Sequence, residues 1–281
     1  MILYKYVGFE AGLKILETNT IGFSHLEDFN DPFECTGFGF YDVDIPIEVL
    51  INAFRNRFSR KYAILSLTRT PFNPLMWSHY ADSYKGMVIG IDVEKAGLDN
   101  ASKYVIPTTK GEIRYLKTTP QKANKANLDV MLSIGDSDKM NWEQQESILK
   151  HALLYKMQEW AYEEEIRVVK NITAAQFSYH YGSKKNVVLD NDIWTRIQLP
   201  TRPIYTLELP EDAIVSVTSG KNAYKELRRM QEYSSQVVNH IVHRFNDLKR
   251  ICKVREIPLY GVKLSYESWD LTHYSLPSLE N

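Results

Sequence analysis

Apolar residues in this chain come in short bursts with two different periods, and the period decides the element. "ILYKYV" alternates, which predicts a first strand over Ile2–Val7. Ala11, Ile15 and Leu16 then share a helical face, and Asn19 is its stop. "TIGFSHL" is a second extended piece that runs into Asn30, Asp31 and Pro32, all strong turn formers. Helical spacing returns at Val49, Ile51, Phe54 and Phe58, and "YAILSLT" reads as a strand over Tyr62–Thr68. Pro74 suits the first turn of a short helix that Gly86 ends, before the buried strand "MVIGID".

The section from Val105 to Tyr155 is irregular, with a strand around "GEIRYL" and a helix around "QQESILKHALLYKM". "EEIRVV" is a strand, "PIYTLELPEDAIVSVTSG" supplies two extended pieces, and "LYGVKLSYE" closes the pattern. A long helix over 221–252 carries Val238, Ile241, Phe245 and Leu248 as its apolar stripe. Short helices dispersed among many short strands, without strict β-α-β alternation, predict an α+β fold. Residues 1–281 read as a single domain, with an insertion around 105–155.

Composition narrows the classes. The chain has 281 residues, 44% of them hydrophobic, which is enough for a full core. A formal net charge of −1 removes a whole-molecule basic field and leaves only local patches for polyanions. No run of 18 apolar residues exists, so no membrane span is expected. The first residues show no export signal, so Cys35 and Cys252 read as reduced core thiols of a cytoplasmic protein. No Gly-rich phosphate loop appears, and His240 and His243 lack a third metal ligand.

Four stretches carry candidate chemistry. In "YEEEIRV", strand alternation puts Glu163, Glu165 and Arg167 on one face and Glu164 on the other. Two carboxylates and a guanidinium in a row can accept hydrogen bonds from sugar hydroxyls; a salt-bridged strand looks the same. In "NPLMWSHYADSYKG", Trp77, Tyr80 and Tyr84 fall on one helical face, suited to stacking on a flat ring or to filling a core. Ser66 and Thr68 point two hydroxyls to one side of their strand. Lys5, between Tyr4 and Tyr6 on an apolar first strand, needs a partner or a cleft. "NDPFE" reads as a tight turn capped by Asp31 with Phe33 packed beneath it.

"YKY", "FNDPFE", "SLT…NPLMWSHYADSYKGMVIGID" and "WAYEEEIR", in that order, resemble a widespread bacterial family known as a domain of unknown function. The likeness runs from about Leu3 to the strand near Gly220. That family in turn resembles the ADP-ribosyltransferase fold, which implies a mixed or antiparallel sheet core with peripheral helices. It also implies NAD as the substrate, Tyr80 as the ring on nicotinamide, and Glu165 as the carboxylate that stabilises the developing oxocarbenium ion. The same resemblance implies Glu163 as a second catalytic contact, Ser66 and Thr68 as hydroxyls that orient the ribose, and Trp77 as a further NAD-binding residue. The usual first-strand histidine or arginine is absent, and Lys5 or Tyr6 stands in its place. Such families are associated with toxin–antitoxin and anti-phage modules. The resemblance therefore implies a macromolecular acceptor (RNA, DNA or protein) and an antitoxin partner.

Two rival classes read the same residues differently. A metal nuclease would use Asp31, Glu34, Glu163 and Glu165 with Lys5. A non-catalytic module would bind a nucleotide or a peptide without turnover.

Overall fold

The computed structural model describes residues 1–41, 44–134, 142–173, 184–198, 203–223 and 235–276. The first elements in chain order are β1 (Ile2–Val7), α1 (Phe9–Thr18), β2 (Thr20–Phe23), β3 (Gly39–Phe40) and α2 (Ile47–Lys61). β4 (Tyr62–Thr68), α3 (Pro74–Tyr80), β5 (Met87–Asp92), β6 (Arg114–Leu116) and β7 (Lys125–Ala126) follow. Next are α4 (Leu128–Ser133), α5 (Trp142–Leu153), β8 (Tyr155–Met157), β9 (Glu165–Asn171), β10 (Lys184–Leu189) and β11 (Asp192–Gln198). The last are β12 (Pro203–Glu208), β13 (Ile214–Ser219), α6 (Ser235–Val254), β14 (Leu259–Leu264) and β15 (Leu271–Ser275). The mixture of helices with mostly antiparallel strand pairs is α+β, as the dispersed pattern predicts.

The chain folds into two compact units. The first comprises Met1–Ile21, Leu67–Gly97 and Leu209–Asn281. In it β1 pairs antiparallel with β5, Tyr4 opposite Gly90, and β5 pairs antiparallel with β13. β14 joins β13 in parallel, and β15 closes that edge antiparallel. On its other side β1 meets the end of β4, Tyr4 opposite Thr68, so β1 is central, as its apolar sequence requires. α1 lies across β5 so closely that a Cβ at Gly12 would fall 2.4 Å from Met87 Sδ. Its buried face is Leu13 and Leu16, while Ala11, expected on that face, is exposed. Asn19 ends the helix in a left-handed conformation (φ 52°), the stop that the sequence predicts.

In α6, Phe245 and Leu248 are buried as expected, and the Phe245 ring stacks on Phe9 at 6.3 Å. The side chains of Val238, His240, Ile241 and His243, and the first part of the helix expected over 221–252, lie outside the described residues. No helix among the described residues is long and apolar enough to cross a membrane.

The second unit comprises Gly22–Ser66 and Leu98–Glu208. A sheet of order β10-β11-β12-β2 forms one part of it. Elsewhere β6 pairs in parallel with β8, and β9 lies beside β4. Isolated bridges tie Ile106 to Val169 and Glu112 to Ile166, so the 106–116 segment runs along β9 and into β6. The core joins Phe38, Phe54, Phe58, Tyr62, Leu149 and Leu153 among others. α2 buries Ile51, Phe54 and Phe58 as expected, with Leu50 buried and Val49 exposed in place of the reverse. Both cysteines are free and buried.

Candidate functional site

The acids at 163–165 are gathered by a turn, not by a strand. A 3-10 helix over Gln158–Glu163 ends at Glu164, which is left-handed (φ 44°), and β9 starts at Glu165. The strand alternation expected to align Glu163 with Glu165 thus does not reach Glu163. The left-handed residue has the equivalent effect, because it puts Glu164 in solvent and leaves both neighbouring carboxylates buried.

Those two carboxylates share one ammonium. Lys156 Nζ, from β8, is 2.6 Å from Glu163 Oε2 and 3.3 Å from Glu165 Oε2. Arg167, next on the same face of β9, donates from Nε to Glu165 Oε1 at 2.8 Å and from Nη2 to Oε2 at 3.1 Å. The far edge of its guanidinium grips Glu34, Nη1 to Oε2 at 2.8 Å and Nη2 to Oε1 at 2.5 Å. Nη1 also donates to the Leu153 carbonyl at 2.6 Å, and the Phe29 ring lies 4.8 Å from the guanidinium carbon. The Ser66 hydroxyl hydrogen-bonds the Glu165 carboxylate, and Tyr115 Oη accepts from the Glu165 backbone N–H at 2.9 Å.

Glu34 reaches this cluster because of the "NDPFE" turn. Asp31 Oδ1 accepts from Phe33 N at 2.9 Å, and the Asp31 carbonyl accepts from Glu34 N. The turn is capped by Asp31 as predicted, but Phe33 is 54% exposed and Glu34 is the residue driven inward, at 1%. Lys156 and Tyr115 were not singled out in the sequence. The available signal was Lys156 itself, a lone lysine in the apolar run "LLYKM", which demands a buried partner.

Burial pushes the Glu165 carboxyl up, but the charges of Arg167 and Lys156, with hydrogen bonds from Arg167 and Ser66, outweigh it and bring the group down to about 2. Burial alone would lower Lys156; Glu165, Glu34 and Glu163 more than reverse that, against Arg167, and hold it above the usual lysine value. Burial raises the Tyr115 phenol, so it stays neutral. The result is a buried, ionised carboxylate held in a fixed orientation, its charge offset by Arg167 and Lys156.

The pH dependence of folding follows. Glu165 is depressed from 4.5, so its contribution is present above pH 4.5 and lost as pH falls toward about 2. The shift corresponds to about 3 kcal/mol. Lys156 is raised, so its contribution is complete below 10.5 and lost as pH climbs past that value. Urea denaturation midpoints measured from pH 2 to 11 are expected to show a plateau that falls off on both sides. A Glu165→Gln protein is expected to lose most of the acid-side slope, and an unchanged slope would contradict the assignment.

In the first unit the aromatic residues take separate roles. The Tyr6 hydroxyl donates to the Thr70 carbonyl at 3.0 Å, and its ring meets Trp77 edge-on at 5.5 Å. Trp77 is fully buried, with Nε1 bonded to the Pro71 carbonyl. α3 ends at Tyr80, six residues before the expected Gly86, because Asp82, Ser83 and Tyr84 are all left-handed (φ 46°, 52° and 67°). Tyr84 is therefore off the helix, and its ring stacks on Trp77 at 5.7 Å. Three such residues in a row cost about 1–2 kcal/mol each. The turn is held by Asn222, which bonds the carbonyls of Ser83 and Tyr84, and by Gly220, which bonds that of Gly86. Tyr80 and Lys5 are half-buried, and Thr68 is buried.

Among the described residues no group of three or more His, Cys, Asp or Glu side chains is placed to hold a metal ion. No curated protein and no solved structure matches the chain. Residues 76–168 match the family described as "Protein of unknown function (DUF2971)", a stretch that holds the "WSHYADSYKG" and "WAYEEEIR" blocks and leaves "YKY" and "NDPFE" outside it.

Proposed function

We propose that this chain is an NAD-dependent ADP-ribosyltransferase of the toxin or defence-effector kind, which transfers ADP-ribose to a cellular macromolecule such as single-stranded RNA. The observation that carries the reading is Glu165: a buried, ionised carboxylate at the first residue of a strand, with a serine hydroxyl on it and a second glutamate two residues before it.

In the proposed reaction the nicotinamide–ribose bond breaks and its electron pair leaves with nicotinamide. The ribose becomes oxocarbenium-like, as in glycoside hydrolysis. Glu165 accepts the ribose 2′-hydroxyl hydrogen bond and offsets the developing charge, and Ser66 orients that sugar. Glu163 orients the acceptor nucleophile, which bonds to the anomeric carbon and loses its proton. Arg167 and Lys156 keep Glu165 ionised and still, so the group pays little reorganisation during the step. The fold likeness, the antitoxin partner and the roles of Lys5, Tyr6, Thr68, Trp77 and Tyr80 rest on the resemblance.

A non-catalytic binding module is the second reading. It is favoured by the completeness of the ion-pair network, because structural networks perturb titration in the same way. Incubation with NAD labelled in its adenylate part and with cell lysate separates the two. Label that becomes macromolecular and is released by RNase, DNase or protease identifies transfer and the acceptor class. Binding of NAD without transfer or nicotinamide release supports the module. Tyr80 is tested separately by affinity: Tyr80→Phe is expected to keep NAD binding and Tyr80→Ala to weaken it about tenfold, since stacking uses the ring face. Equal NAD affinity in a destabilised Tyr80→Ala protein would make the ring a packing residue only.

A further inference from the structure

Two cavities of the second unit share a wall, the side chain of Tyr155. The larger, about 410 Å³, is lined by Lys110, Arg114, Lys150 and His151, by the single carboxylate of Glu112, and by the hydroxyls of Thr109 and Ser147. The smaller, about 210 Å³, has an apolar floor of Leu116, Pro120 and Met157 beside Thr118 and Thr119. The larger falls within the range of about 300–1,000 Å³ usual for small-ligand sites, and the smaller suits a single ring.

The cationic side is assembled from three elements. Lys110 comes from a 3-10 turn, Arg114 from β6 and Lys150 from α5. Glu146 bridges Lys110 and Lys150 at 2.9 and 2.8 Å, but these lysines are 47% and 38% exposed. Water screens such pairs, so either lysine can turn to a ligand anion at little cost. Arg114 donates to the Tyr155 hydroxyl at 3.3 Å, and the His151 ring lies 5.3 Å from the same tyrosine. The chemistry on the two sides of Tyr155 is thus different: phosphate-type donors on one, a ring-sized apolar slot with hydroxyls on the other. A simple carboxylate would use only the first side. A ligand with a flat ring one sugar away from a phosphate uses both.

We propose that these paired cavities bind a nucleoside phosphate, with its base against Leu116 and Met157 and its phosphate among Lys110, Arg114 and Lys150. None of the residues assigned to NAD lines either cavity. Lys156 lines the smaller one, so the base sits beside the residue that holds Glu163 and Glu165. The proposal does not depend on the ADP-ribosyltransferase reading.

Titration calorimetry with AMP, adenosine and a short single-stranded oligoadenylate tests it on the whole chain. AMP is expected to bind more tightly than adenosine, and Arg114→Gln and Lys150→Gln are each expected to weaken AMP at least tenfold with an unchanged melting temperature. Oligoadenylate binding more tightly than AMP makes the ligand a unit of a strand; AMP binding alone makes it a free nucleotide. No AMP binding at millimolar concentration, or equal binding by the wild type and both variants, overturns the proposal.

Discussion

Arg167→Met is expected to destabilise the protein by about 3–5 kcal/mol, the cost of removing one partner from a buried ion network. The guanidinium is fully buried and makes five hydrogen bonds, two to Glu34, two to Glu165 and one to the Leu153 carbonyl. A methionine of similar length fills the space but leaves Lys156, 3.8 Å from Glu34 and 3.3 Å from Glu165, to offset both of these carboxylates as well as Glu163. One of them then protonates or draws water in. Thermal or urea unfolding at pH 7 measures the loss, and a change under about 1 kcal/mol would show that the network contributes little to folding. The double variant Arg167→Met, Glu34→Gln is expected to recover part of the loss, because the stranded charge is removed with its partner.

Glu165→Gln is expected to lower nicotinamide release from NAD by about 10²–10³-fold, the usual effect of removing one electrostatic group aimed at a transition state. The geometry adds a second consequence. Glu165 accepts from Arg167 twice and from Lys156 once, so the neutral amide also leaves buried positive charge. The variant therefore loses stability as well as rate, and its activity must be read below its own unfolding transition. Glu164 sits one residue away in solvent, and Glu164→Gln is expected to match the wild type in both respects.

Local pattern carried the sequence reading where neighbours decide the outcome. Strands β1, β4 and β5 begin and end where alternation and apolar runs place them. The β10–β11 hairpin was not foreseen, although Asp190 and Asn191, both left-handed (φ 49° and 67°), form the two-residue turn that "LDND" signals between alternating segments. α3 ends at Tyr80, although Gly86 is the stop that the sequence offers. Contacts from Gly220 and Asn222, far away in sequence, hold Asp82 to Tyr84 in the conformation that ends the helix earlier.

The candidate site divides the same way. The acids of "WAYEEEIR" and Arg167 could be named from their spacing, and so could the outward direction of Glu164. Their counter-charges arrive from a turn at Asp31–Cys35 and from the parallel pair β6–β8, which no local spacing reveals. "NDPFE" has the composition of a turn, and the turn is there; its consequence is Glu34 aimed at Arg167, not Phe33 packed inside.

The central claim is that the Glu165 carboxylate drives cleavage of NAD. The direct measurement is nicotinamide released from NAD by wild type, Glu165→Gln and Glu164→Gln at pH 7, each below its melting temperature and corrected for folded protein. Release by wild type and Glu164→Gln, with a drop of about 10²–10³-fold in Glu165→Gln, is the predicted result. Equal release from the folded fractions of all three, or none from the wild type, would contradict it and leave Glu165 as a structural member of a buried ion network.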